Sequence, residues 1–291
     1  MYYDFSNFRL SNIRYGGSER KLGILINDEP YMLKFQKVTR FGKRNNHLSE
    51  FLGSHIFEIL GFDVHETYLG TYKGEAVVAC KDFVANGYEF VPFNDVGEST
   101  IETDKEKYQY TYKDIISLLK KNQKITNIDE TISIFFGMYI VDALIGNFDR
   151  HGANWGFLKK DNKYQLAPIF DNGSCLFPQL VNEDEIKFIL NDQKEINERI
   201  YRFPTSQIKL GEGKSSYFEV ISSLKFEECN KALVKIYSKV DLNKINDLID
   251  SLNITRVHKD FYKLMIEERF NKIIKYSYDK LNGVNYEKQC K

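Results

Sequence analysis

Wound as a helix, the stretch Ile132 to Leu144 is apolar on nearly every side, with Ile132, Phe135, Phe136, Met138, Ile140, Val141 and Leu144 spread round its circumference. A helix without a polar face has to be packed on all sides, so a sizeable helical body must form around it. Asp129 is expected to cap its start. The longest unbroken apolar run, Ile134 to Val141, stops at Asp142 and is too short to span a bilayer. A chain of 291 residues has room for that body and for a second, smaller one.

The N-terminal part supplies the smaller body and reads mostly as strands. Leu22 to Ile26 and Tyr31 to Phe35 flank turn chemistry at Asn27-Asp28-Glu29-Pro30, which makes a hairpin. A helix is expected from Ser49 to Leu60, with Gly61 as its stop. Glu66 to Tyr72 and Ala76 to Phe83 form a second hairpin about Lys73-Gly74. From Tyr112 the pattern turns helical, first to Lys121 and then through the buried helix. Residues 157–158 and 164–170 read as short strand-like pieces around Asp161-Asn162, and the last strong helix runs from His258 to Leu281.

Directly after the buried helix comes Gly146-Asn147-Phe148-Asp149-Arg150-His151-Gly152-Ala153-Asn154-Trp155. Asp149 and Asn154 stand five positions apart on a loop, where a carboxylate and an amide can converge. A second acid, Asp171, follows 22 residues later in Ala167-Pro168-Ile169-Phe170-Asp171-Asn172-Gly173-Ser174. Taken singly, each of these residues is ordinary turn chemistry. Taken together they match what phosphoryl transfer from ATP requires: one acid to orient or deprotonate a hydroxyl, and an Asn with a second Asp to hold Mg²⁺. His151 is either a structural histidine or a donor to a phosphate or to Asp171.

The strand-rich part offers the remaining pieces of a nucleotide site. Tyr15-Gly16-Gly17-Ser18 leads into the first long strand, and its glycines let backbone N–H groups approach phosphate oxygens. In Tyr31-Met32-Leu33-Lys34-Phe35, alternation puts Tyr31, Leu33 and Phe35 on one face and Met32 with Lys34 on the other. Lys34 is placed to hold phosphates, with Glu50 on the next helix as its counter-ion. Lys81, Asp82 and Phe83 end the last strand, where a hinge would bind adenine, and Phe170 beside the second acid is counted with them. The expected cleft sets Lys34 and Arg150 against Glu50, Asp149 and Asp171, an excess of acid that a metal and a nucleotide would balance.

These segments resemble the HipA-like serine/threonine kinase family, in which the histidine follows the catalytic aspartate by two residues. The likeness also takes in Leu69 to Lys73, Val77 to Phe83, Gly146 to Leu158, Ala167 to Leu176, and Arg199 to Tyr201 with Phe203-Pro204, in one order over most of the chain. It implies an α+β, two-lobed protein-kinase-like fold. The small strand-rich N-lobe would take residues 1–83 and the larger helical C-lobe residues 84–291. It further implies ATP- and Mg²⁺-dependent phosphorylation of Ser or Thr in a protein substrate, autophosphorylation, and a role as toxin or effector. By that likeness Asp149 is the base, His151 its neighbour, Asn154 and Asp171 the metal ligands, and Lys34 the phosphate lysine. Gly16, Gly17, Ser18, Glu50, Lys81, Asp82, Phe83, His151 and Phe170 complete the ATP site.

An antitoxin or a small HipS-like partner chain belongs to the same picture. HipA itself carries a further N-terminal subdomain, expected here to be missing or a separate chain, because the glycine-rich loop begins within fifteen residues of Met1. The loop serines available for self-modification are Ser11 and Ser18, and neither matches the HipA site. Two other readings share the motif. Lipid or small-molecule kinases use the same Asp-Arg-His-x-x-Asn order, and a pseudokinase would bind nucleotide and act by protein contact.

Composition narrows the remaining classes. Lys+Arg and Asp+Glu number 41 each, a formal net charge of zero, which speaks against direct nucleic-acid binding and against an anionic membrane. Cys80, Cys175, Cys229 and Cys290 are far apart and form no CxxC pair, so neither a zinc site nor a disulfide framework is expected. Met1 to Phe5 shows no signal-peptide pattern, and a cytoplasmic protein is expected, with secretion as an effector implied only by the family. The 22 Phe and 19 Tyr are read as core.

Overall fold

The computed structural model describes residues 2–16, 19–40, 42–84, 87–96 and 110–284. Gly17, Ser18 and Cys290 lie outside them. The N-terminal strands form one five-stranded sheet in the spatial order Tyr3–Asp4, Thr67–Tyr72, Glu75–Lys81, Glu29–Phe35, Lys21–Ile26. All neighbours are antiparallel except the first pair. The first hairpin turns on Asn27 and Asp28 alone, both with positive φ (52° and 65°), the geometry that matches strand twist. Glu29 and Pro30 therefore join the strand instead of the turn. Pro30 fits there because its carbonyl is what the ladder uses, accepting from the Asp82 N–H at 2.9 Å. Strand Glu75–Lys81 releases the chain two residues before the expected end at Phe83.

The alternation in the lysine strand holds. Tyr31, Leu33 and Phe35 pack with Phe5, Ile24, Tyr72, Val77 and Ala79 on the outer face. Met32 and Lys34 face the other way. On that inner side the sheet is covered by helix Asn46–Ile59, which starts three residues earlier than the periodicity indicates. Leu52, Ile56 and Phe57 of this helix share one core with Leu69, Val78 and Cys80 of the sheet and with the helical part. The helix ends where Gly61 takes φ +81°.

Helix Ile128–Ile145 is the centre of the C-terminal part, with every residue from Phe135 to Ile145 buried. Its cap is Asn127, whose side chain accepts from the Glu130 N–H at 3.2 Å. Asp129 sits in the first turn instead, where its charge still favours the helix dipole. At the other end Gly146 adopts the left-handed conformation and turns the chain into the Asn147–Trp155 loop. Around this helix pack Glu227–Tyr237 and Arg256–Arg269, the latter continuing as a π-helical turn Phe270–Lys275 and then Tyr276–Leu281.

In a second sheet the hairpin about Asp161-Asn162 is the expected one, and its third strand was not foreseen. Strand Glu89–Pro92 pairs antiparallel with Gly156–Lys160, and Gly156–Lys160 pairs with Lys163–Leu166. It fastens the exit of the N-terminal sheet to the hairpin that lies between Asp149 and Asp171. No helix among the described residues is long and apolar enough to cross a membrane.

His47, near the start of the first helix, is buried and its Nδ1 has no hydrogen-bond partner among the described residues. Burial lowers its pKa from 6.5 to about 4. The unfolded chain takes up this proton at a higher pH than the folded one, so stability falls as pH drops through that window. The full span is on the order of 3 kcal/mol. Urea unfolding at pH 7 and 4.5 should show a larger acid loss in the wild type than in His47→Gln.

Candidate active site

The inner face of the sheet, the first helix and the Asp171 turn meet at one buried ammonium. Lys34 Nζ donates to Glu50 Oε2 and to Asp171 Oδ1, each at 2.8 Å, with the Lys34 side chain 6% exposed. Burial alone would lower the Lys34 pKa. Asp171 and Glu50 outweigh it and hold the group well above its ordinary value, so Lys34 is a cation. Glu50 is likewise opposed by burial, but Lys34 and His65 keep its carboxyl well below the usual range. Its second oxygen accepts from the Asn172 backbone N–H at 2.9 Å and lies 3.0 Å from His65 Nε2. Glu50 thus stands as the expected counter-ion of Lys34, and it is a buried one. Gly53, one turn on, permits this closeness, because a Cβ there would lie 2.6 Å from Asn172 Cβ.

Asp149 and Asn154 converge as their spacing requires. The Asn154 amide donates to the Asp149 carbonyl at 2.7 Å, and Asp149 N–H donates to Asn147 Oδ1 at 3.1 Å. His151 Nδ1 accepts from the Ala153 N–H at 3.2 Å, which places the ring proton on Nε2, 3.7 Å from Asp149 Oδ1. His151 thus faces Asp149. The Asp149 side chain is half exposed.

Arg150 is not a cleft charge. Its side chain is 4% exposed and holds Asp142 through Nε at 2.9 Å and Nη2 at 3.1 Å. Nη1 donates to the Asn154 carbonyl at 3.0 Å and to the Phe170 carbonyl at 2.5 Å, and Nη2 also reaches Asn172 Oδ1. One planar guanidinium therefore clasps the loop that carries Asp149 to the turn that carries Asp171. Asp142 is so deeply buried that its carboxyl is pushed up, with Arg150 opposing the shift. Asp171 itself sits at φ +58°, a strained position for a non-glycine residue, held by the contacts on either side.

A cleft of about 450 Å³ lies beside Lys34, lined among others by Met32, Phe83, Phe90 and Phe170. The last three rings form a cluster with centroids 5.2 to 6.0 Å apart. Part of the aromatic excess thus lines the cleft and not the core. The Lys81 ammonium is held by Glu29 at 2.6 Å, and its backbone N–H donates to the Glu66 carbonyl at 2.8 Å. The Phe83 N–H has no partner among the described residues. Tyr15 crosses the mouth and donates to Asp82 Oδ2 at 2.9 Å. Gly16 has open space around it.

The profile of the HipA-like C-terminal domain matches residues 13–250. The chain belongs to that family. This HipA-like chain is 38% identical over 267 residues to the serine/threonine-protein kinase CtkA of Helicobacter pylori, covering 89% of the chain and 82% of CtkA. The crystal structure of the H. pylori proinflammatory kinase CtkA superposes with a TM-score of 0.89 at 34% identity, over 98% of this chain and 99% of that one. HipA of Shewanella oneidensis, solved with HipB and operator DNA, shares the fold at a TM-score of 0.61 and 14% identity, over 94% of this chain and 68% of that one. The α+β, kinase-like architecture expected from the resemblance is the one found.

Sequence reasoning missed His65, Asn172, Asp142 and Tyr15 in this HipA-like site and misread Arg150. One signal was available. Asp142 ends an otherwise apolar run, and a charge at that depth needs a partner. His65 and Asn172 carry no such mark, because they meet Glu50 only through the fold.

Proposed function

We propose that the chain is a protein serine/threonine kinase of the HipA-like type, using ATP and Mg²⁺. The observation that carries this reading is Lys34 held at once by Glu50 and Asp171 at 2.8 Å, beside a cleft walled by aromatic rings. Those rings and the free Phe83 N–H suit an adenine base, and Lys34 suits the phosphates. Asp149 takes the proton of the acceptor hydroxyl, with His151 Nε2 3.7 Å from its carboxylate.

The donors fit a hard cation. The Asn154 amide nitrogen is committed to the Asp149 carbonyl, which leaves Oδ1 to ligate, and Asp171 adds carboxylate oxygen. Mg²⁺ held by Asn154 and Asp171 would neutralise phosphate charge. A lobe boundary after Phe83, autophosphorylation at a loop serine, a toxin or effector role and an antitoxin or HipS-like partner belong to the same proposal and rest on the family resemblance.

Incubation with labelled ATP, Mg²⁺, mixed protein acceptors and lipid vesicles should place label on Ser or Thr. Label confined to lipid vesicles, or none at all, would reject the reading. Tyr15→Phe removes a hydrogen bond to a carboxylate at the cleft mouth, worth about 1.5 kcal/mol. Stopped-flow release of a fluorescent ATP analogue should accelerate about tenfold.

A further inference from the structure

Among the described residues, one group of three side chains brings His, Cys and carboxylate donor atoms within 4.8 Å of one another: Glu50, His65 and Cys80. They come from the first helix, the segment after it and strand Glu75–Lys81, so no spacing along the chain announces them. Glu50 and Cys80 are 1% exposed and His65 is 4% exposed. Phosphoryl transfer uses Glu50 to hold Lys34 and gives Cys80 no task. Both His65 and Cys80 line the cleft, which supplies a path for a small ion.

One imidazole nitrogen, one thiol and one carboxylate are the donors Zn²⁺ takes, whereas Mg²⁺ takes oxygen. We infer that Glu50, His65 and Cys80 form a three-ligand site for Zn²⁺, its fourth position open to the cleft, and that filling it through the Glu50 Oε1 that faces His65 draws off carboxylate charge and weakens the hold of Oε2 on Lys34. Binding breaks the Cys80 S–H bond, forms a Zn–S bond and releases the proton to solvent, with no electron transferred. His65 ligates as the neutral ring through Nε2; in the metal-free protein that nitrogen donates to Glu50 Oε1, so on binding its N–H bond is given up and the ring proton is carried on Nδ1.

Charge favours the exchange. Lys34, Glu50 and Asp171 together carry one net negative charge, and Arg150 is already matched by Asp142. Zn²⁺ with the Cys80 thiolate adds one positive charge, so the buried cluster becomes neutral. Burial keeps the metal-free Cys80 thiol protonated by raising its pKa, so the thiolate forms only when a cation arrives. Metal binding stands apart from the kinase reading. Its consequence, a weaker ion pair positioning Lys34 for phosphate, rests on that reading.

The test titrates the full, nucleotide-free chain with Co²⁺ as probe and then with Zn²⁺. The expected result is a thiolate-to-cobalt charge-transfer band with tetrahedral ligand-field absorption, displaced by Zn²⁺. Release of about one proton per metal should accompany it. Cys80→Ser should lose the charge-transfer band and His65→Ala the tetrahedral absorption, with folding checked by circular dichroism. Zn²⁺-loaded wild type should lose affinity for a fluorescent ATP analogue. A wild-type chain without the thiolate band, or a band that survives Cys80→Ser, overturns the site. Unchanged analogue binding by the Zn²⁺ form overturns the link to Lys34. If the metal-free chain binds no analogue, the kinase reading fails, and the cobalt spectrum still decides the metal site.

Discussion

Asp149→Asn should lower the rate of phosphoryl transfer roughly 100- to 10,000-fold, the share a positioned general base supplies, and leave nucleotide affinity little changed. The reason is local. The Asp149 main chain, through its N–H and carbonyl, makes the hydrogen bonds that hold the loop to Asn147 and Asn154. Removing the side-chain charge therefore leaves that framework in place. The side chain is also the half-exposed member of the site, so its neutral amide meets no new buried charge. Single-turnover kinetics with labelled ATP, set beside equilibrium binding of an ATP analogue, separates the two quantities. A variant that transfers phosphate at the wild-type rate removes Asp149 from the chemistry. One that loses nucleotide binding in equal measure makes Asp149 a structural residue.

The parts of this site that could be read from the sequence are those set by short-range geometry. A five-residue step brings Asp149 to Asn154 in any tight loop, and strand alternation alone sends Lys34 to the face opposite Leu33. The tight turns at Lys73-Gly74 and Asp161-Asn162 were legible for the same reason, and that at Asn27-Asp28 as half of a longer stretch, since Asn, Asp and Gly tolerate the positive φ that they show. The burial of Glu50 was not. It depends on Asn172, which lies 122 residues away in the chain and closes over the helix only in the folded protein. Asp129 was the expected cap of the central helix, and the cap is instead Asn127, two residues earlier, whose side chain accepts from the Glu130 N–H. Arg150 looked like a cleft cation because it stands between Asp149 and His151. Only the position of Asp142, under the loop at the end of the buried helix, turns it inward.

Arg150→Met should lower unfolding free energy by about 3–5 kcal/mol, the range for breaking a buried ion pair from one side. The Asp142 carboxylate would be left buried without its cation, and burial already pushes its pKa up while Arg150 is there to oppose it. That fixes the pH dependence. A folded-state pKa above the unfolded one means the folded chain binds the extra proton, so the variant recovers stability as pH falls and loses it as pH rises. Urea unfolding should accordingly show a wider gap to the wild type at pH 8 than at pH 5. A gap that does not change with pH would mean that Asp142 is not what Arg150 stabilises. The double variant Asp142→Leu/Arg150→Met should lose less than the sum of its single changes, because neither leaves a buried charge behind. Arg150→Lys keeps a charge for Asp142 but cannot span the Asn154 and Phe170 carbonyls with one planar group. It should therefore regain most of the stability that Arg150→Met loses and remain slow in phosphoryl transfer. Equal recovery of both would assign Arg150 to folding alone. Stability without turnover would show that holding the Asp149 loop to the Asp171 turn is a task of its own.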